Sequence, residues 1–591
     1  MLSRLAPSSV VRSAITTTNG VRFASAAAAK KDKPKKAPVE TDSFCMNLFR
    51  GKAATKQVFP FPLNLDEEKK ETLGMILEPT NKFLTEVNDV FKNDANAETP
   101  MEVLKQFGEL GAFGAVVPPE YEGAGLNNTQ MARLAEIVGG HDLGLGVVMG
   151  AHQSIGYKGI LLFGTEEQKK KYLPDLATGR KFAAFCLTEP STGSDANSVR
   201  AHAVKSADGS HYILNANKMF ISNGGFAEVF TVFAQTPIKL ADGSTKNKVS
   251  AFIVERGFGG ITNGPPEKKM GIKGSNTSTV DFENVKVPVA NLLGVEGEGF
   301  KVAMNILNNG RFGIPAAMTG CMKYCIQKTI DQVTTREQFG SKIMEYGNVQ
   351  EKLSDMIARL YASESILYVL ASNMDKGIQD YQIEAAIAKI FTSENGWWVC
   401  DEAIQLHGGM GFMRETGLER VLRDLRIFRI FEGANDVLRL FVSLTGIQHA
   451  GSHLQAAASS GVSGIIGLAL GRFSGPSGAF GAVVDPAFKG SADALDKCIS
   501  DFGKTVQALV IKHKKGIIDR QATATVKASG ATADYERKVA NYFCQKAAER
   551  AEASLKAAAL DNDASVKTIK EIAKGACNNS ANPVPHPIDV L

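Results

Sequence analysis

The sequence predicts an α+β chain, and three observations carry that prediction. Apolar residues recur every three or four positions from residue 66 to about 184, the period shortens towards two between 186 and about 290, and helical spacing returns from "GEGFKVAMNILNNGRF" onward. This order implies a middle β domain flanked by helical domains. At 591 residues the chain exceeds what one hydrophobic core supports, so about two to four domains are expected.

Each element follows from its own pattern. "KETLGMILEPTNKFLTEVNDVF" and "EVLKQFGELGAFG" place their apolar residues on one helix face. "HYILNANK", "EVFTVFAQT" and "SAFIVERG" alternate as strands do, with the turn signal "ADGS" between them. In "NVQEKLSDMIARLYASESILYVL", Val349, Leu353, Met356 and Leu360 share a face. After about 446 the texture turns to Ala, Gly and Ser, with a flexible linker expected near 456–484. "ADYERKVANYFCQKAAERAEASLKAAAL" then reads as an amphipathic helix of a fourth, smaller domain.

The formal charge of +5 is misleading as a whole, because residues 1–38 hold eight Lys/Arg and one acid, leaving about −2 for the rest. No basic field for nucleic acid is left. Residues 1–29 carry Arg4, Arg12 and Arg22, many Ser/Thr and no acid, the composition of a mitochondrial transit peptide. Eight cysteines show no CxxC, and no HExxH occurs, so free thiols and no metal site are expected. No apolar run reaches the roughly 18 residues of a membrane span.

Local chemistry concentrates in five strings. "AFCLTEPSTGSD" (184–195) offers main-chain N–H groups and the hydroxyls of Thr188, Ser191, Thr192 and Ser194 to a polar ligand, although a Ser/Thr turn would look the same. In "KMFISNGG" (218–225), Phe220 and Ser222 would share one strand face and meet one flat ring. "TREQFGSKI" (335–343) and "QLHGGMGF" (405–412) combine an arginine with glycines that let a backbone approach a diphosphate, without a Rossmann fingerprint. "RIFRIFEGANDVLRLF" (426–441) sets Glu432 among apolar residues that penalise its charged form.

Together, in this order, and with "VDFENVKVPVANLLGVEGEGF", these strings resemble the acyl-CoA dehydrogenase family of flavoenzymes over about residues 70 to 445. The segment "SFCMNLFRGKAATKQVFPFP" and the extra C-terminal domain resemble the branch that acts on the longest acyl chains, and also its close paralogue, a complex I assembly factor. The resemblance implies a transit peptide (1–29), a linker and N-terminal extension (30–65), an N-terminal helical domain (66–185) and a middle β-barrel or sandwich domain (186–297). A C-terminal four-helix bundle (298–446) and an extra helical domain with a flexible linker (447–591) would follow. It further implies FAD, long-chain acyl-CoA substrates and electron-transferring flavoprotein as acceptor. A homodimer in the mitochondrial matrix, or at the matrix face of the inner membrane with peripheral contact, is implied as well. The final "IDVL" does not match the Ser-Lys-Leu signal of a peroxisomal oxidase.

In that family a carboxylate removes the substrate α-proton while the β-hydrogen leaves as hydride. Some members carry the base immediately before the arginine of an L-x-x-x-R string; here "LNNGR" puts Gly310 before Arg311. Others carry it in a string matched by Ile430 to Ala434, so the resemblance assigns the base to Glu432. It implies FAD contacts at Phe185, Leu187, Thr188, Ser194, Phe220 and Ser222, and at Ala434, Asn435 and Asp436. From across a subunit interface it adds Arg336, Phe339, Gln405 and Gly409. Ser194, Asn308, Arg311, Phe431 and Gly433 would meet the acyl-CoA, although Arg311 could also be a helix-surface ion pair. Phe220 stands where many relatives have Trp, Asn308 replaces an Asp, and Ala434 lacks a Thr hydroxyl.

Gly146 and Gly150, four apart in "HDLGLGVVMGAHQSIG", either open a groove for a long acyl tail or let two helices pack closely. After "KHKKGIIDRQ" about one helix of the extra domain is missing relative to the branch. That weakens the expectations of dimer and membrane support.

Overall fold

The computed structural model describes residues 40–61, 65–459, 478–484 and 486–513. The transit-like segment, most of the expected linker, the shortened stretch after residue 513 and the last predicted helix lie outside these residues. The described residues fall into two compact units. The larger holds 65–375 and 388–434; the smaller holds 40–61, 376–387, 435–459, 478–484 and 486–513. The principal helices, in chain order, are α1 (Phe44–Leu48), α2 (Asn128–His141), α3 (Leu143–Met149), α4 (Gly299–Gly310) and α5 (Gly313–Thr335). They continue with α6 (Gly347–Asp375), α7 (Gln382–His407), α8 (Leu418–Leu425), α9 (Asn435–Ser459) and α10 (Lys489–His513).

In the larger unit the predicted period-two region is one eight-stranded sheet. Its order is β6 (Ile261–Asn263), β7 (Thr277–Pro288), β3 (His211–Ser222), β2 (His202–Lys205), β4 (Val229–Lys239), β5 (Thr245–Glu255) and β8 (Leu292–Leu293). β1 (Ala183–Cys186) runs parallel to β4. β4 is buried on both faces, and its side chains divide by the strand's alternation. Val229 and Phe233 pack with Tyr157, Leu173 and Ile306 of the helical layer, whereas Phe230, Val232 and Ala234 pack with Phe252, Val280 and Phe282 on the other side.

The helices of this unit surround a second core in which Val349, Leu353, Met356 and Leu360 are all buried, as their spacing predicts. α2 and α5 approach closely because Gly320 has no side chain: a Cβ there would collide with the Glu136 carbonyl. Beneath this crossing Lys323 bridges the buried carboxylates of Glu136 and Glu364, and Tyr368 donates to Glu136 at 2.7 Å. Burial pushes the Glu364 carboxyl up to about 7, against the pull of Lys323.

The smaller unit brings segments distant in sequence together. Ser43 caps α1 by accepting from Met46 N–H at 2.9 Å, and its hydroxyl donates to Glu384 at 2.6 Å. The ring of Phe49 fills the space that a side chain at Gly446 of α9 would need, and it meets Phe502 of α10 edge-on at 5.1 Å. Residues 40–61 are thus an integral part of this unit. It also holds a histidine pair that the motif reading passed over: His449 and His453 stand four apart on α9, with ring centroids 4.7 Å apart. Burial, His453 and then Arg50 push His449 down to about 4. Among the described residues no three His, Cys, Asp or Glu side chains converge as a metal ligand set. None of the described helices is long and apolar enough to cross a membrane.

Phe49→Ala removes a buried ring and leaves a cavity against Gly446 and Phe502. Such a change is expected to destabilise the smaller unit by about 3–5 kcal/mol, read as an earlier transition in calorimetry; an unchanged scan would refute the packing role.

Candidate active site

The base-bearing loop is positioned from α8. Asp424 accepts from Ile272 N–H and pairs with Arg420 at 3.2 Å, while Arg423 reaches Asp94 at 2.7 Å. These bonds tie α8 to the loop at Ile272 and to the short helix Val90–Asn96. A short 3-10 turn, Arg426–Arg429, follows, and Phe431 packs edge-on against Phe428 with centroids 4.9 Å apart. The chain then enters the left-handed region twice in succession, at Glu432 (φ 52°) and Gly433 (φ 98°). Glycine adopts such a conformation freely, whereas a glutamate there is strained and must be held by its surroundings.

Two buried cations hold it. Arg311, at the end of α4, donates from Nε to the Glu432 carbonyl at 3.1 Å and from Nη1 to Asn308 Oδ1. Lys389 on α7 donates from Nζ to the Gly433 carbonyl at 2.9 Å. Arg311 is therefore no helix-surface ion pair: it is buried, and burial pushes its guanidinium down to about 10 despite Glu432. Glu432 is part-buried as a residue, but its Oε2 is closed off from solvent and has no hydrogen-bond partner. Burial raises its pKa, while Arg311 and then Lys389 act in the opposite direction. The result is a poorly solvated carboxylate with an open acceptor, the arrangement a general base needs.

Gly310 is excluded as a base for a further reason, because a Cβ there would come within 2.6 Å of the Ser154 carbonyl. That carbonyl belongs to a π-helical stretch, Gly150–Gly156, which extends α3. In the same run a Cβ at Gly150 would meet nothing within 4 Å, and at Gly146 only Val138 at 3.7 Å. Their surroundings leave space for a side chain, in contrast to those of the helix-contact glycine Gly320.

The "LTEPSTGSD" loop leaves β1 and is anchored by a buried pair. Lys218 of β3 donates to Glu189 at 2.8 Å and to the Phe233 carbonyl at 2.8 Å, and Glu189 accepts from the N–H groups of Arg200 and Ala201. Thr188 lies part-buried, Ser191 and Ser194 are exposed, and Thr192 Oγ1 is buried without a partner. The expectation that Phe220 and Ser222 share a regular strand face needs correction. The β3–β7 register shifts between Lys218 and Ile221, and Phe220 takes φ 58°. This bulge buries Lys218 completely and leaves Phe220 61% exposed, so an aromatic face projects beside the loop. Phe185 and Leu187 lie just before it, part-buried and buried respectively.

Arg336 and Phe339 belong to the small hairpin of β9 (Glu337–Gln338) and β10 (Ser341–Lys342), and Phe339 is 96% exposed at φ 53°. Gln405 and Gly409, at and after the end of α7, are exposed as well. Asn435 and Asp436 open α9, the first buried and the second exposed, and Ala434 precedes them. Motif reading did not single out Lys389 or Glu189, nor Lys218 as an anchor. A lysine in an otherwise apolar strand or helix face was the available signal.

Three family models match the chain: the acyl-CoA dehydrogenase N-terminal domain over residues 70–180, the middle domain over 184–285 and the C-terminal domain over 297–444. The chain belongs to the acyl-CoA dehydrogenase family. Within it, the chain falls in the very-long-chain branch. It is 50% identical over 570 residues to the very long-chain specific acyl-CoA dehydrogenase, mitochondrial, of Homo sapiens, covering 90% of this chain and 86% of that protein. Against the Rattus norvegicus protein of the same name it is 52% identical over 516 residues, covering 85% and 78%. Among solved structures it resembles an acyl-CoA dehydrogenase complexed with FAD from Bacillus anthracis, with TM-score 0.70 and 32% identity over 90% of this chain and 89% of that one.

The burial of Glu432 has a stability signature. With its folded pKa above the ordinary 4.5, the native state is penalised above the folded pKa, and the penalty fades as pH falls to the unfolded value. Glu432→Gln should therefore melt higher than the parent protein at about pH 8, and the difference should vanish below about pH 4.5. Equal melting temperatures at both ends would contradict an enclosed carboxylate.

Proposed function

We infer that this chain is a mitochondrial FAD-dependent dehydrogenase of fatty-acid β-oxidation. Its substrates are long- to very-long-chain acyl-CoA thioesters, its product the trans-2-enoyl-CoA, and its electron acceptor electron-transferring flavoprotein. The observation that carries the reading is the unpartnered, enclosed Oε2 of Glu432 on a strained turn gripped by Arg311 and Lys389. The relatives above are named for dehydrogenation, so the assembly-factor alternative is not favoured.

Glu432 takes the α-proton. Enclosure strips water from the carboxylate and strengthens it as a base, while Arg311 and then Lys389 favour its charged form. Its left-handed backbone turns the 432–434 amides away from a helical path, leaving main-chain N–H available to the thioester oxygen as negative charge develops there. Gly433 leaves room for the thioester beside that backbone.

The residues present fit FAD. The exposed ring of Phe220 offers a stacking face, and Thr192 has a buried hydroxyl in want of a partner. FAD, when bound, accepts the β-hydrogen as hydride. Phe185, Leu187, Thr188, Ser194, Phe220 and Ser222 would hold it within one chain, with Asn435, Asp436 and the backbone of Ala434. The exposed Arg336, Phe339, Gln405 and Gly409 would reach it from a second copy in a homodimer. Ser194 and Asn308 would meet the CoA portion. Arg311 would join them through the outer edge of a guanidinium that also holds the base turn, and Phe431 would border the acyl chain from its seat on Phe428. Gly146 and Gly150 would admit a long acyl tail. The matrix, or the matrix face of the inner membrane, is the compartment this chemistry suits.

Purified protein should carry FAD and lose flavin absorbance on anaerobic addition of palmitoyl-CoA; Glu432→Gln should bind the thioester yet stay yellow. Normal bleaching by that variant would sink the base assignment. Gly150→Leu should lower the rate with palmitoyl-CoA relative to hexanoyl-CoA by about tenfold or more, and an unchanged chain-length profile would return Gly150 to a packing role.

A further inference from the structure

Of the two cations that hold the base turn, Arg311 alone has been given a contact with substrate. Lys389 has 0% of its surface exposed, and burying an ammonium is costly unless opposite charge or good acceptors meet it. Its Nζ donates to the carbonyl of Gly433, the residue following the base, at 2.9 Å. Burial pushes its ammonium down to about 8; among the neighbouring charges Glu432 and Glu394 favour its charged form and Arg311 opposes it. On Glu432 the acting charges are Arg311 from α4 and Lys389 from α7. The two donors fall on consecutive carbonyls of the only stretch in this loop that turns left-handed.

We propose that Lys389 is a positioning residue for proton abstraction: its bond to the Gly433 carbonyl fixes the Glu432–Gly433 turn, and its charge stands beside the base carboxylate. The proposal rests on Glu432 as the base. Arg311 alone does not suffice, because it holds only the carbonyl before the turn's second residue and divides its donors between Glu432 and Asn308. Without Lys389 the Gly433 peptide is free to rotate, since glycine opposes no φ. The carboxylate would also lose one of the two positive charges that offset its burial. Direct contact with the acyl chain is not required of Lys389.

The test uses the FAD-loaded enzyme and follows anaerobic flavin bleaching by palmitoyl-CoA from about pH 5.5 to about pH 9. Lys389→Met removes charge and donor, Lys389→Gln removes charge but keeps a donor, and Lys389→Arg keeps both. In the two neutral variants the acid limb should move about one pH unit towards alkali, so that rates on the acid side of the limb fall about tenfold and recover as pH rises, because one pKa unit is a tenfold change. The concentration of palmitoyl-CoA giving half the limiting rate should stay as in the parent, and Lys389→Arg should restore the limb. A merely structural lysine would lower FAD content or melting temperature and leave the limb in place. An FAD-replete Lys389→Gln or Lys389→Met with the parent limb and rate overturns the proposal, as does loss of FAD binding in all three variants. Glu432→Gln run in parallel separates the two readings: if it fails to bleach while the Lys389 variants behave as the parent, only the role of Lys389 falls.

Discussion

Two donors on two consecutive carbonyls allow the candidate base to exist in its present form. A glutamate at positive φ is unfavourable by itself, and a carboxylate shut away from water is unfavourable again. Arg311 and Lys389 address both costs together, since each supplies a hydrogen bond to the turn and a positive charge near its side chain. Neither cation could be placed there by local sequence. One ends α4 and the other lies on α7, and they meet only because both helices pack beside the loop that follows α8.

The remainder of the larger unit serves to keep those helices where they are. Close approach of α2 and α5 through Gly320 fixes the helical layer to within a side-chain width. The ties of Asp424 to Ile272 N–H and of Arg423 to Asp94 fix the start of the base loop. On the sheet side, Lys218 and Glu189 anchor the "LTEPSTGSD" loop from beneath, and the bulge that buries Lys218 is the same distortion that exposes Phe220. One local irregularity thus supplies both an internal anchor and an external aromatic face.

Charge burial recurs throughout this unit and is compensated differently in each place. Lys218 and Glu189 form a pair whose spare oxygens and protons are satisfied by main-chain groups, so breaking it would strand a buried charge. Glu136 and Glu364 share Lys323, and one of the two carboxyls is pushed towards neutrality. Glu432 differs in its setting, because its unpartnered oxygen belongs to a left-handed turn whose carbonyls are held by Arg311 and Lys389. An incompletely satisfied acceptor is a liability in a core and an asset in a base.

Much of this protein was legible in its sequence. The change of period from helix to strand and back predicts a β region between helical ones along the chain, and the spacing of Val349, Leu353, Met356 and Leu360 predicts a face that is in fact buried. Glu432 stands out because an acid among Ile430, Phe431 and Gly433 contradicts the pattern of its neighbours, and the absence of a side chain at Gly310 is plain from the letters alone. Periodicity reports only which faces an element buries; it carries no information about what lies across a gap of more than 40 residues. Pairing Lys389 with Gly433, seating Phe49 in the space left by Gly446, and turning Phe220 outward through a bulge were all decided by tertiary packing. In each case the deciding quantity was the distance between atoms far apart in the chain.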